Sequence, residues 1–224
     1  MRARHPGRRA GAWGDEGGVA VDRHVWTMAE VADTIGPGAN LRNYLEQRDV
    51  RRCLEAARKL RPIRQAFDVG CGYGRLTMVL MEAAAAVAGF EREATFVEEA
   101  RRLLPGAVFH QVATLERLPA PTAACDFAMT FTVLQHMRDS EARAVLEEVK
   151  RVAQGGVVLL TEETDLALAD GLADGGTGVT VGRSEETYAA WMAPFTEVLR
   201  FRRQIEPGYP RSNVGSYMMF LDAR

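Results

Sequence analysis

From Gln65 onward, short apolar runs alternate with longer stretches whose apolar residues recur every three or four positions. The runs predict strands at Gln65–Val69, Ala86–Phe90, Val108–Gln111, Phe127–Phe131 and Val157–Thr161, because brief apolar runs bounded by turn signals suit strands buried on both faces. The intervening stretches predict helices at Arg75–Ala84, Ala94–Leu104 and Ser140–Ala153. Such alternation builds an α/β fold with a doubly wound, mostly parallel sheet. The pattern changes near the end, where a short helix at Ser184–Met192 precedes apolar runs at Val198–Ile205 and Ser216–Leu221. No crossover helix fits between those two runs, so they predict a hairpin and a seven-stranded sheet with one antiparallel strand.

Ahead of the first strand, Met28–Ile35 and Leu41–Leu60 read as helices separated by the breaker Gly36-Pro37-Gly38. Leu41, Tyr44, Leu45, Val50, Leu54 and Ala57 approximate a helical stripe in the second, and Pro62 ends it. Residues 21–62 thus predict a helical cap on a domain spanning 63–224. Residues 1–20, rich in Arg and Gly and without the apolar stretch of a signal peptide, read as a disordered tail. Residues 164–183 are acidic and Gly-rich, with Asp165, Asp170, Asp174 and Gly171, Gly175, Gly176 and Gly178 among them, and predict a mobile loop over the strand C-termini.

A chain of 224 residues suffices for one such domain with a full core. Its net charge of −2 supplies no basic field for nucleic acid. The cysteines Cys53, Cys71 and Cys125 are odd in number and widely spaced, which fits neither a disulfide framework nor a zinc site and suits a reducing cytoplasm. The most apolar long stretch, Leu76 to Phe90, contains Glu82 and is too short to span a membrane. The expected partner is a small molecule, for a monomer or homodimer with no metal.

Candidate chemistry centres on Asp68-Val69-Gly70-Cys71-Gly72-Tyr73-Gly74, at the end of the first strand. Glycines at alternate positions let the backbone turn tightly and let a ligand touch main chain. A dinucleotide would bring a pyrophosphate there, beside which the Asp68 carboxylate sits badly; the third glycine also follows the second by two residues rather than three. A nicotinamide dehydrogenase is therefore disfavoured. Glu91 ends the second strand about twenty residues further on, where an acid can bind both hydroxyls of a ribose or simply cap the following helix.

Asp68 to Gly74, then Gly89-Phe90-Glu91, Leu118-Pro119 before Cys125-Asp126-Phe127, Val133-Leu134-Gln135-His136-Met137, and Gly155-Gly156 before the fifth strand appear in that order. Together they resemble the class I S-adenosylmethionine-dependent methyltransferases over about residues 64–164, with a Rossmann-like fold. The resemblance implies S-adenosyl-L-methionine as cofactor, whose cationic amino group and sulfonium suit Asp68. It implies that Asp68, Gly70, Cys71 and Gly72 hold the methionine end, with Cys71 a packing residue rather than a nucleophile. Glu91 would take the ribose and Arg92 the flank of the adenine, with Thr114 and Leu115 on the adenine side. Thr130 and Phe131 would lie beside the sulfonium, and Gln135, a further cofactor contact, would follow with His136 on a short helix near where the acceptor enters. His136 is the candidate general base, with a pKa suited to neutral pH; packing is the alternative. Trp26, Tyr44, Glu163, Arg183 and Tyr209 are candidate acceptor contacts; a solvated loop is the alternative for one of Glu162 and Glu163, ordinary packing for the aromatics and a surface charge for Arg183.

The implied activity is methyl transfer to oxygen or nitrogen of a small molecule. Nearly all basic residues are arginine, as in chains from GC-rich genomes, which by association suggests bacterial specialised metabolism. A non-methylating enzyme, such as a cyclase, on the same cofactor-binding fold and a protein N-methyltransferase remain open alternatives.

Overall fold

The computed structural model describes residues 39–168, 180–203 and 215–224. The expected tail at 1–20, the helix at Met28–Ile35, Trp26, Tyr209 and most of the 164–183 loop lie outside the described residues. Helix α1 (Ala39–Leu60) leads into β1 (Gln65–Val69), α2 (Thr77–Met81), β2 (Ala86–Glu91), α3 (Ala94–Leu103) and β3 (Val108–Gln111). Strand β4 (Phe127–Phe131) runs into a 3-10 turn at Leu134–His136, then α4 (Asp139–Val152) and β5 (Val157–Glu163). A second 3-10 turn (Leu166–Leu168), α5 (Glu185–Met192), β6 (Thr196–Arg202) and β7 (Gly215–Leu221) complete the order.

The seven strands lie in the order β3-β2-β1-β4-β5-β7-β6. The first five are mutually parallel. Strand β7 inserts between β5 and β6, antiparallel to both. The chain order reverses between β1 and β4, and open sheets of this kind bind ligands in the crevice beyond the strand C-termini at such a point.

Alternate residues of the central strands feed two cores. Phe127, Met129, Val157, Leu159 and Met219 pack against Val50, Cys53, Leu54 and Ala57 of α1 and Val79 and Leu80 of α2. Phe67, Val69, Ala128, Val158, Leu160 and Phe220 face the other way, against α4 and α5. Burying each large apolar side chain contributes about 1.5–3 kcal/mol, so a sheet covered on both sides carries most of the stability. Among the described residues, no helix is long and apolar enough to cross a membrane.

Three expectations need correction. The helix after the glycine turn spans only Thr77–Met81, not Arg75–Ala84. Gly70, Gly72 and Gly74 all have positive φ, so the chain is still turning when it reaches Arg75. Strand β5 continues past Thr161 because Glu162 pairs with Ser216 and Glu163 with Gly215 on β7. The buried stripe of α1 is Glu46, Asp49, Val50, Cys53, Leu54 and Ala57, whereas Leu41 and Tyr44 are exposed. The second half of α1 is therefore a core helix of the sheet itself, and two acids occupy positions that its helical period buries.

Gly89 sits in the middle of β2, paired with Asp68 on one side and Phe109 on the other. A Cβ there would lie 2.6 Å from Phe109 Cδ1 and 2.7 Å from Cys71 Sγ. Overpacking of this kind costs about 1–3 kcal/mol. Gly89→Ala should lower the urea midpoint by a corresponding amount with the m-value unchanged, and the loss should shrink in a Phe109→Leu background. An unaltered midpoint would mean that the β2–β3 layer relaxes freely.

Candidate active site

The turn after β1 has one crowded and one open side. Gly70 has φ +77°, and a Cβ on it would lie 2.5 Å from Val133 Cγ2. A Cβ on Gly72 would meet nothing within 4 Å. The space above Gly72 is bounded by Glu91, whose Oε2 accepts the Gly72 N–H at 2.9 Å. Its Oε1 accepts the N–H groups of Arg92 at 2.6 Å and Glu93 at 3.0 Å. The helix-capping and ligand-binding readings of Glu91 thus share one geometry. The capping bonds fix the carboxylate beside the open space; with three of its roughly four acceptor sites taken, one remains for a ligand hydroxyl, and a second hydroxyl would have to replace the Gly72 N–H.

Asp68 lies beneath this turn, buried, and accepts the Thr77 hydroxyl at 2.6 Å. Burial pushes its carboxyl up to about 6, against the pull of the Thr77 bond and the Arg75 charge. Cys71 turns its side chain into a small cluster with Val97, Ala100 and Phe109. Burial pushes that thiol well above its ordinary range, so only the main chain of Cys71 is available to a ligand. On the β3 side, Thr114 Oγ1 accepts the Glu116 N–H at 3.1 Å and Leu115 belongs to the core. Arg92 reaches toward Glu141 on α4, 3.9 Å away.

Beyond β4 the chain makes a strained bend. Thr132 adopts φ +55°, rare for a non-glycine residue, and its N–H donates to Thr161 O at 2.7 Å. The following 3-10 turn is gripped from two sides. Glu162, 1% exposed, accepts the Thr130 hydroxyl at 2.9 Å and the N–H groups of Val133 at 3.0 Å and Gln135 at 3.2 Å. Arg183 donates to the carbonyls of Leu134 at 2.9 Å and Met137 at 2.6 Å, and to Asp139 at 2.8 Å. One carboxylate takes the donors of the turn and one guanidinium takes its acceptors.

The turn carries Gln135 and His136. Gln135 is itself a tie: its Oε1 accepts the Glu163 N–H at 3.0 Å, and its carbonyl accepts the Val181 N–H at 2.7 Å. Its amide nitrogen lies 3.4 Å from His136 Nε2. An amide proton donated there makes Nε2 the acceptor, which in the neutral ring places the proton on Nδ1. His136 is half-buried at the C-terminal edge of the sheet.

Several sequence expectations gather here and others do not. Asp68, Gly70, Gly72, Glu91, Thr130, Phe131, Gln135 and His136 all stand at the C-terminal ends of β1, β2 and β4. Glu162 and Glu163 do not lie in a solvated loop: both are buried in β5, and Glu163 Oε1 accepts the N–H groups of Thr164 at 3.0 Å and Asp165 at 2.9 Å. Arg183 is no surface charge; it is 5% exposed and three of its donors are committed to the turn and Asp139. Tyr44 stands on the outer face of α1, 62% exposed. The roles of Thr77 and Glu162 as partners within the site gave no periodic or motif signal. Among the described residues, no group of three or more His, Cys, Asp or Glu residues is placed to hold a metal.

Known methyltransferases share this fold. Residues 67–161 match a family model described as a methyltransferase domain. No curated protein matches the chain in sequence. Among solved structures, magnesium protoporphyrin IX methyltransferase from Synechocystis PCC 6803, with bound S-adenosylmethionine, is similar at 17% identity and TM-score 0.66, covering 86% of this chain and 89% of its own. An N-methyltransferase from Bradyrhizobium japonicum WM9, in complex with S-adenosylhomocysteine, is similar at 16% identity and TM-score 0.61, covering 84% and 89%. A putative methyltransferase from Haloferax volcanii, in complex with the Trm112 activator, is similar at 14% identity and TM-score 0.67, covering 90% and 100%.

Burial pushes the Glu162 carboxyl up to about 7 from an ordinary 4.5. With the folded value above the unfolded one, the stabilising proton uptake is complete below the unfolded value and is lost as pH rises through about 7. Glu162→Gln removes that titration, and turns an amide toward the Val133 and Gln135 N–H groups at a cost of about 1–3 kcal/mol. Urea midpoints should fall between pH 5 and 8 for the unaltered protein and fall less for the variant, so the gap between them narrows as pH rises. Asp68 is common to both and cancels. A gap that does not change with pH would contradict titration of Glu162 in the folded state.

Proposed function

We propose that this chain, a member of the class I S-adenosylmethionine-dependent methyltransferase family, methylates oxygen or nitrogen of a small molecule. The cofactor, S-adenosyl-L-methionine, supplies an electrophilic methyl group on a sulfonium. The residues present fit it: the space above Gly72 is open, and Glu91 is fixed at its border with an acceptor site to spare. In this reading Glu91 binds the ribose hydroxyls, while Asp68 and the main chain of Gly70, Cys71 and Gly72 take the amino-acid end. Arg92, Thr114 and Leu115 flank the adenine. Thr130 and Phe131 wall the transfer site.

The observation that carries the small-acceptor reading is the construction of the acceptor side. Thr130, Phe131, Thr161 and Tyr217, from three adjoining strands, are all buried, and the turn beside them is held by Glu162 and Arg183. A fixed, enclosed wall suits a compact acceptor aligned behind the methyl group, and alignment supplies most of what methyl transfer requires. Enclosure also keeps water from the sulfonium. His136 Nε2, exchanging the Gln135 amide for the acceptor, takes the proton from an acceptor hydroxyl as the new bond forms, or from an ammonium before its nitrogen attacks. The net charge of −2 offers no attraction to a nucleic-acid backbone. A setting in bacterial specialised metabolism rests on the arginine-rich composition alone.

S-adenosylhomocysteine should raise the melting temperature by mass action, and nicotinamide dinucleotides should not; the reverse result would sink the cofactor assignment. Glu91→Ala removes two charge-assisted bonds to ribose, each contributing about 1.5–3 kcal/mol before water replaces the carboxylate. Calorimetry should show affinity for S-adenosylhomocysteine falling by at least about tenfold; a change under threefold would leave Glu91 a helix cap only. Methyl-labelled cofactor should pass its label to a small acceptor found by screening. With that acceptor, His136→Ala should lower turnover by roughly a hundredfold, with partial recovery at higher pH. Undiminished turnover would leave alignment as the whole mechanism.

A further inference from the structure

The α1 face of the sheet holds a polar group that the reading above leaves without a task. Glu46, 2% exposed on the buried stripe of α1, accepts Arg42 Nε at 2.7 Å and pairs with Arg75 Nη1 at 2.5 Å. Arg203, which follows β6, donates to the same carboxylate. Arg75 also donates to Asn43 Oδ1 at 2.9 Å. Burial lowers the Arg75 pKa to about 10, which still leaves it charged at neutral pH. Both Arg75 and Arg203 lie against the ring of Phe131, with Cζ 5.6 Å and 5.1 Å from its centroid.

Phe131 begins a row that crosses four strands. It is in register with Thr161, Thr161 with Tyr217, and Tyr217 with Phe201. Residues in register share a face, so all four side chains stand on the α1 side near the C-terminal edge of β4 and β5. The Tyr217 ring stacks on Phe201 at 4.7 Å and meets Phe131 edge-on at 6.1 Å. Two hydroxyls in this row, Thr161 Oγ1 and Tyr217 Oη, are buried with no hydrogen-bond partner among the described residues. Native proteins rarely leave buried hydroxyls unpaired, and one that is calls for a ligand or another explanation.

The chemistry of the row is one-sided. A guanidinium only donates, and both hydroxyls are able to donate. Burial raises the Tyr217 pKa, so its phenol keeps its proton at neutral pH. Such a set calls for a group that only accepts, and a carboxylate is that group, matched to Arg in geometry and charge. The rings of Phe131, Tyr217 and Phe201 supply an apolar surface beside it.

We propose that Arg75, Thr161 and Tyr217 form an acceptor subsite that binds the carboxylate of a small molecule with a flat, apolar body. This deepens the small-acceptor reading and rests on it. The other source of a carboxylate is the amino-acid end of the cofactor itself, and the test separates the two.

Benzoate and benzamide serve as shape-matched probes, titrated by calorimetry into the protein saturated with S-adenosylhomocysteine. Benzoate should bind at least tenfold more tightly than benzamide. The double variant Thr161→Val/Tyr217→Phe removes only two unpaired hydroxyls, so it should fold at least as well as the unaltered protein. It should lose tenfold or more in benzoate affinity while keeping its affinity for S-adenosylhomocysteine. Equal or undetectable binding of the two probes overturns the proposal, as does benzoate affinity unchanged in the double variant. A double variant that weakens S-adenosylhomocysteine but not 5′-methylthioadenosine, which lacks the amino-acid end, assigns the subsite to the cofactor and also overturns it. Failure of S-adenosylhomocysteine to bind the unaltered protein overturns the methyltransferase reading and this one with it, whereas the other failures strike this one alone.

Discussion

A carboxylate buried at the end of β5 holds the turn that follows β4. Where β4 ends, the chain bends through Thr132 in a left-handed conformation, and its next N–H groups point into the sheet rather than to water. Buried main-chain donors must be paired, and Glu162 pairs those of Val133 and Gln135 together with the Thr130 hydroxyl. The arrangement leaves the carbonyls of the same turn facing outward, and Arg183 takes two of them. Both ions are costly to bury, and the turn's own peptide groups lie between them and offset part of that cost. An apolar residue in place of Glu162 would leave two main-chain donors unpaired, so the position tolerates neither a simple hydrophobe nor a loop acid. The placement of Gln135 and His136 follows from this grip.

The two ends of the cleft have opposite electrical character. At the glycine turn, Asp68 and Glu91 lie close enough for Glu91 to raise the Asp68 pKa, in addition to the larger effect of burial. That end favours cationic groups. On the α1 face, Arg42, Arg75 and Arg203 converge around Glu46 beside Phe131, and that end favours an anion. Arg75 joins the two regions, since its charge acts on Asp68 as well as pairing with Glu46. A ligand pair with a positive centre at one end and a negative group at the other would be oriented before any close contact forms.

Strands β1, β3 and β4 begin and end where their apolar runs do, because runs bounded by charge or glycine leave one register for a buried strand. The Asp68–Gly74 turn and Glu91 were legible for a similar reason: each sits where a strand ends, and only a few residue types suit that geometry. The acids on α1 were not. Glu46 and Asp49 interrupt an apolar stripe, and periodicity shifted the predicted stripe onto Leu41 and Tyr44; two of the arginines that pair with Glu46, Arg75 and Arg203, come from distant parts of the chain. Glu162 and Glu163 read as loop because two adjacent acids after an apolar run normally reach water. Here β7 extends the ladder beside them, and that pairing is invisible in β5 alone. Arg183 gives no local sign that its partners are carbonyls of a turn more than forty residues earlier.

The contact between Glu46 and Arg203 joins residues 157 positions apart. During synthesis at the usual 5–20 residues per second, Glu46 is added to the chain roughly 8–31 s before Arg203. For that interval α1 presents a stripe of four apolar residues and two acids, and acids of this kind act as gatekeepers on nascent hydrophobic segments. Strand β1, which leads into the glycine turn, pairs with β2 and β4 and not with β6 or β7. The half of the sheet that holds the glycine turn is therefore synthesised before the half that holds Tyr217 and Arg203, and the chain's last strand is the one inserted between two others.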